Sequence, residues 1–89
     1  MNLEEKIKCL EKRGYRRIDP DLLEGIKKNN YKKYVNFKYA IEFLKRKGKE
    51  PILVMIYENK SNFYSNEYIE NKTIKEIIEG TQRFLSSFK

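Results

Sequence analysis

The chain has 89 residues, 39% of them hydrophobic, with 20 lysines and arginines against 13 acids and a net charge of +7. It has no histidine and a single cysteine, Cys9, which excludes a Ser-His-Asp triad, a Cys-His pair, a His-containing zinc site, a thiolate metal cluster and an intramolecular disulfide. The longest apolar run, Ile52 to Tyr57, is too short to cross a bilayer, and residues 1–5 hold no apolar leader core, so the expectation is a cytoplasmic protein with no membrane partner.

In chain order, a first helix is expected over Leu3 to Arg13. Asn2 caps it, Glu5 stands at the third helical position, and Leu3, Ile7 and Leu10 form its core stripe. Gly14 ends it. Tyr15 to Ile18 reads as a short strand. Asp19-Pro20 is a cap followed by a first-turn proline, opening a helix that runs to about Lys28 and buries Leu22, Leu23 and Ile26. Asn29-Asn30 breaks that helix.

Tyr31 to Lys47 fits two templates. As a helix it gathers Tyr34, Phe37, Ile41 and Leu44 on one face. As a strand it alternates Val35, Phe37, Tyr39, Ile41 and Phe43 against Asn36, Lys38, Ala40 and Glu42. Its ending favours the helix: Lys45-Arg46-Lys47 complements the C-terminal dipole, Gly48 takes the left-handed position and Pro51 follows.

Ile52 to Tyr57 has strand length and continuous apolarity, which predicts a central, buried strand. Residues 58–62 read as a turn and Phe63 to Ile69 as the returning strand. Thr73, with Glu76 three residues on, opens a last helix in which Ile74, Ile77, Ile78, Thr81, Phe84, Leu85 and Phe88 keep helical spacing. The expected fold class is α+β: a small single domain over residues 1–89, with three to four helices and a β-hairpin.

The charge is concentrated. Lys27, Lys28, Lys32, Lys33, Lys38, Lys45, Arg46, Lys47 and Lys49 share residues 27–49 with one acid, Glu42, a net charge of +8. The other residues sum to −1. Tyr31, Tyr34 and Tyr39 lie between the lysines. Lysines neutralise phosphates, and tyrosines stack on bases or bond phosphates. The window therefore predicts a nucleic-acid-binding protein, DNA favoured over RNA, with no catalytic residue, no metal and no cofactor. Lysines elsewhere, such as Lys6, Lys12 and Lys75, lie among Glu4, Glu5, Glu11, Glu76 and Glu79, and are expected to matter little to binding or folding.

The order of elements resembles that of winged helix-turn-helix domains. The resemblance implies that residues 20–28 are the first helix of the motif, Lys32 to Lys47 the recognition helix, and the hairpin 52–69 the wing. Glu58-Asn59-Lys60 has a Glu-x-Lys spacing that resembles the metal-binding core of restriction-endonuclease-like nucleases, which implies a cation held by the carboxylate. That pattern also needs an acid on the preceding strand, and Glu42 serves only if residues 34–44 form a strand.

Three features have plainer readings. Cys9 is expected to be a half-buried residue beside the first helix's stripe. Capping accounts for Asp19 and Asp21. Phe84, Leu85 and Phe88 belong to the last core helix and are also a candidate homodimer face. An alternative for the whole chain is a small interaction or inhibitor protein whose basic face docks an acidic partner.

Overall fold

The computed structural model describes residues 1–28, 35–57 and 60–87. Among them are five α-helices and a three-stranded antiparallel sheet, an α+β fold. The elements are α1 (Leu3–Glu11), β1 (Arg16–Arg17), α2 (Pro20–Lys28), α3 (Val35–Arg46), β2 (Pro51–Tyr57), β3 (Lys60–Ser65), α4 (Asn66–Asn71) and α5 (Ile74–Ser86). The order helix, strand, helix, helix, hairpin is the expected one, and residues 35–46 are helix rather than strand.

Local chemistry sets most of the boundaries. Asn2 Oδ1 accepts the Glu5 N–H at 2.9 Å, and Asp19 Oδ1 accepts the Leu22 N–H at 2.8 Å. Each removes a donor that a helix start otherwise leaves unpaired. Gly14 (φ 96°) and Gly48 (φ 71°) both adopt the left-handed conformation. Beyond each, the next N–H reaches back into the helix: Tyr15 to Leu10 O at 3.1 Å and Lys49 to Leu44 O at 2.9 Å. This is the Schellman closure that glycine permits without strain. In α5 the capping box is complete, with Thr73 N–H to Glu76 Oε1 and Glu76 N–H to Thr73 Oγ1 each at 3.1 Å. The backbone and hydroxyl bonds from Thr73 hold the Glu76 carboxyl below its usual pKa.

β2 is the middle strand. Arg16 pairs with Val54 and Arg17 with Leu53 on one side, while Leu53 pairs with Tyr64 and Val54 with Phe63 on the other. Alternate residues of a strand face opposite ways, and both faces are covered. Leu53 and Tyr64 pack with Ile7 and Leu10 of α1, Ile69 of α4 and Ile77 of α5. Val54 packs with Leu22 of α2, Ile18, Ile56 and Phe63. Burial on both sides explains the strand's unbroken apolarity. The first strand of the hairpin that the winged-helix resemblance makes a wing is therefore the centre of the sheet. α3 lies against β2 and β3.

Three expectations change. β3 begins at Lys60 and ends at Ser65, and residues 66–69, expected as strand, belong to α4. The cause is the partner strand: Pro51 pairs with Ser65 and is β2's first residue, and beyond it only a long bond from Asn66 N–H to Glu50 O, 3.4 Å, continues the ladder. Ser65 instead caps α4, accepting the Tyr68 N–H at 3.2 Å, and helical geometry puts Ile69 fully inside. Leu23, expected inside, is exposed at 37%, because Leu22 is the residue α2 turns to the sheet. Lys6, expected to be neutral, is structural. Its Nζ donates to Ile69 O, Glu70 O and Lys72 O at 3.1, 3.1 and 2.8 Å, capping the carbonyl end of α4. Cys9 is half-buried with a free thiol, as expected.

Among the described residues the core holds one polar cluster. Thr81 Oγ1 donates to Ile77 O at 2.9 Å and meets the hydroxyls of Tyr15 and, at 2.6 Å, Tyr64. A hydroxyl has one proton and two acceptor sites, so Thr81 accepts from both tyrosines. Asn62 Nδ2 donates to the Tyr64 oxygen at 3.0 Å. Every hydroxyl is satisfied, provided both tyrosines keep their protons. Burial raises the Tyr15 pKa and pushes that of Tyr64 up to about 12.

Candidate nucleic-acid interface

The basic window spans the end of α2, all of α3 and the turn into β2. Lys28 is exposed at the end of α2 and lies 3.5 Å from Glu24. Lys45 and Arg46 are exposed in the last turn of α3, and exposed Lys47 and Lys49 flank Gly48. Cations there complement the helix's carbonyl end. Among the described residues, no carboxylate lies at ion-pair distance from Lys45, Arg46, Lys47 or Lys49. These four are brought together around one helix terminus. Tyr31, Lys32, Lys33 and Tyr34 lie outside the described residues, as do the side chains of Lys27 and Lys38.

The outer face of α3 also carries two aromatic rings. Tyr39 is 67% exposed and Phe43 is 56% exposed. Spaced i and i+4, they share one helix face. Lys47 continues that face, with its Nζ 4.5 Å from the centre of the Phe43 ring. Such a cation–π contact contributes about 0.5–1 kcal/mol at an exposed site. Arg46, three residues beyond Phe43, lies alongside. Phe43 was not among the residues the sequence singled out for binding. The signal was present: in the helical template Tyr39 and Phe43 fall off the face of Tyr34, Phe37, Ile41 and Leu44, and so on the polar side.

Outside the window, Arg17 and Lys75 have carboxylate partners. Arg17 donates to Glu4 at 2.8 Å and to Glu11 at 3.0 Å. These bonds raise the arginine's pKa and lower that of Glu4. Lys75 pairs with Glu79 at 3.9 Å. An open cleft of about 290 Å³ lies between residues 48–50 and 65–70. Glu50, Glu67 and Glu70 line it with Lys49, so the cleft is acidic on balance and Lys49 stands where it meets the basic window.

Glu42 sits in helix α3, so the strand acid required by the nuclease resemblance is not present at that position. Glu58 and Asn59 of the Glu-x-Lys triplet lie outside the described residues. Among the described residues, no three His, Cys, Asp or Glu side chains are grouped to hold a metal ion, and no helix is long and apolar enough to cross a membrane. In α5, Ile77 and Thr81 are buried while Phe84 and Leu85 are half-buried. Phe88 of the candidate dimer face lies outside the described residues. No protein-family model, no curated protein and no solved structure matches this chain.

Proposed function

We propose that this chain is a non-enzymatic, cytoplasmic nucleic-acid-binding module that docks on phosphates through residues 27–49. The observation that carries the reading is the concentration of charge: +8 in that window against −1 in the rest of the chain. Exposed Arg46, Lys47 and Lys49, without carboxylate partners among the described residues, support it. A field of one sign over one surface raises local phosphate concentration and speeds encounter. The counterions released on contact then supply affinity.

The test is a titration of labelled nucleic acid with the whole protein. At about 50 mM salt binding is expected, weakening steeply as salt rises. Absence of binding under those conditions refutes the reading. A tight, salt-sensitive complex with polyglutamate but not with nucleic acid would transfer the surface to an acidic protein partner. Sizing of the same samples tests the homodimer through α5, a separate proposal resting on half-buried Phe84 and Leu85.

A further inference from the structure

We infer that the interface takes unpaired rather than duplex nucleic acid, with Tyr39 and Phe43 as a stacking platform for two bases and Arg46, Lys47 and Lys49 on the adjoining phosphates. The inference rests on the nucleic-acid reading and names the substrate class of the same surface.

Ring exposure is the first ground. Cations alone suffice for a duplex, whose bases are stacked inside and offer only their edges. Flat rings gain from nucleic acid chiefly when a base face is free to lie on them. Tyr39 and Phe43 are more than half exposed on a helix whose other described face goes inward at Leu44. Spacing is the second ground. Four residues of helix set the two Cα atoms about 6 Å apart along the axis. Successive bases of one duplex strand are only about 3.4 Å apart. Bases seated on both rings are therefore drawn off each other, which a single strand permits and a paired one resists.

The Lys47 ammonium over Phe43 is the third ground. It covers one face of that ring with an exposed cation, and a cation-accepting face is one on which a base can also stack. A base arriving on this face displaces the ammonium, which can then turn to the neighbouring phosphate. Arg46 and Lys49 extend the cationic track beyond the rings. A groove of positive charge interleaved with aromatic rings is the composition that holds single strands with little regard to sequence. Unpaired DNA and unpaired RNA share this chemistry, so both belong in the test.

The experiment compares binding of 12-mer dT, 12-mer rU and a 12-base-pair DNA duplex to the whole protein and to a Tyr39→Ala/Phe43→Ala double variant. Both residues are exposed, so circular dichroism is expected to be unchanged. A conservative Tyr39→Phe/Phe43→Tyr variant keeps both rings. The wild type is expected to bind at least one single strand about tenfold or more tighter than the duplex. The Ala variant is expected to lose about tenfold per ring on the single strand and little on the duplex, and the ring-swapped variant should bind like wild type. Tyrosine fluorescence, free of interference because the chain has no Trp, should be quenched by the single strand and less so in the Ala variant. Preference for dT or rU assigns the strand chemistry. Equal binding of duplex and single strands, or an Ala variant that binds single strands like wild type, overturns the stacking inference while leaving the nucleic-acid reading intact. Failure of all three nucleic acids to bind at about 50 mM salt overturns the reading itself.

Discussion

The two sides of this small molecule treat the same residue types differently. Around α1, α4 and α5, three basic residues have carboxylate or carbonyl partners. Arg17 bridges Glu4 and Glu11, Lys6 caps α4 and Lys75 faces Glu79. Two tyrosines there are interior: Tyr15 and Tyr64 pack edge to face, 5.3 Å between ring centres, with their hydroxyls on Thr81. At the end of α3, Lys45, Arg46, Lys47 and Lys49 are exposed with no carboxylate at ion-pair distance among the described residues, and Tyr39 and Phe43 stand in solvent. Composition alone therefore does not tell a stabilising lysine or tyrosine from a binding one. Placement relative to the core does.

Truncation on each side should give opposite results. Leu53 is fully buried at the centre of the sheet, so Leu53→Ala should lower the unfolding free energy by about 2–5 kcal/mol, read by urea denaturation. Phe43→Ala, on the outer face of α3, should change it by less than about 1 kcal/mol, the scale of its cation–π contact. A similar loss from both would mean that Phe43 is part of the core.

Thr81→Val tests the polar cluster. It removes the acceptor of two buried tyrosine hydroxyls and should cost about 1–3 kcal/mol for each group left unpaired. A neutral result would show that the tyrosines find other partners. The same cluster sets an alkaline limit. The pKa of Tyr64 is raised from 10.0 to about 12, so the folded state disfavours the phenolate. Stability from this group is then complete below about pH 10 and is lost as pH climbs towards 12. Tyr64→Phe should flatten the fall in denaturation midpoint between those values, and an unchanged slope would remove the tyrosine as its cause. The smallest effect concerns lysines: Lys6→Ala should cost about 1 kcal/mol, and exposed Lys8→Ala less than about 0.5 kcal/mol. Equal losses would deny the cap.

Much of the fold was legible where one signal acted alone. Asn2, Asp19, Thr73 with Glu76, Gly14 and Gly48 each mark a boundary through a single hydrogen bond or a left-handed backbone. The run Ile52–Tyr57 announces a strand covered on both faces. Residues 66–71 were not legible as helix, because what stops β3 at Ser65 is the start of its partner at Pro51, a non-local fact. The structural role of Lys6 likewise depends on carbonyls more than sixty residues away in sequence. The basic half of the candidate site was readable from charge counting. Of its two rings Tyr39 was readable among the lysines and Phe43 was not, because Phe43 fits a strand's alternation as well as a helix's outer face until the helix is established.

The central claim is that residues 27–49 bind nucleic acid as a local surface and not through net charge. The direct measurement is the dissociation constant of the whole protein for nucleic acid over a range of salt. Wild type is compared with a Lys32→Ala/Lys33→Ala/Lys38→Ala triple variant and a Lys8→Ala/Lys12→Ala/Lys75→Ala triple variant of equal charge. Lys6 is kept intact because it caps α4. The account predicts that the first variant binds far more weakly, with a shallower salt dependence from the lost phosphate contacts, while the second stays near wild type. Equal weakening in the two variants, or no binding by the wild type at about 50 mM salt, would contradict it.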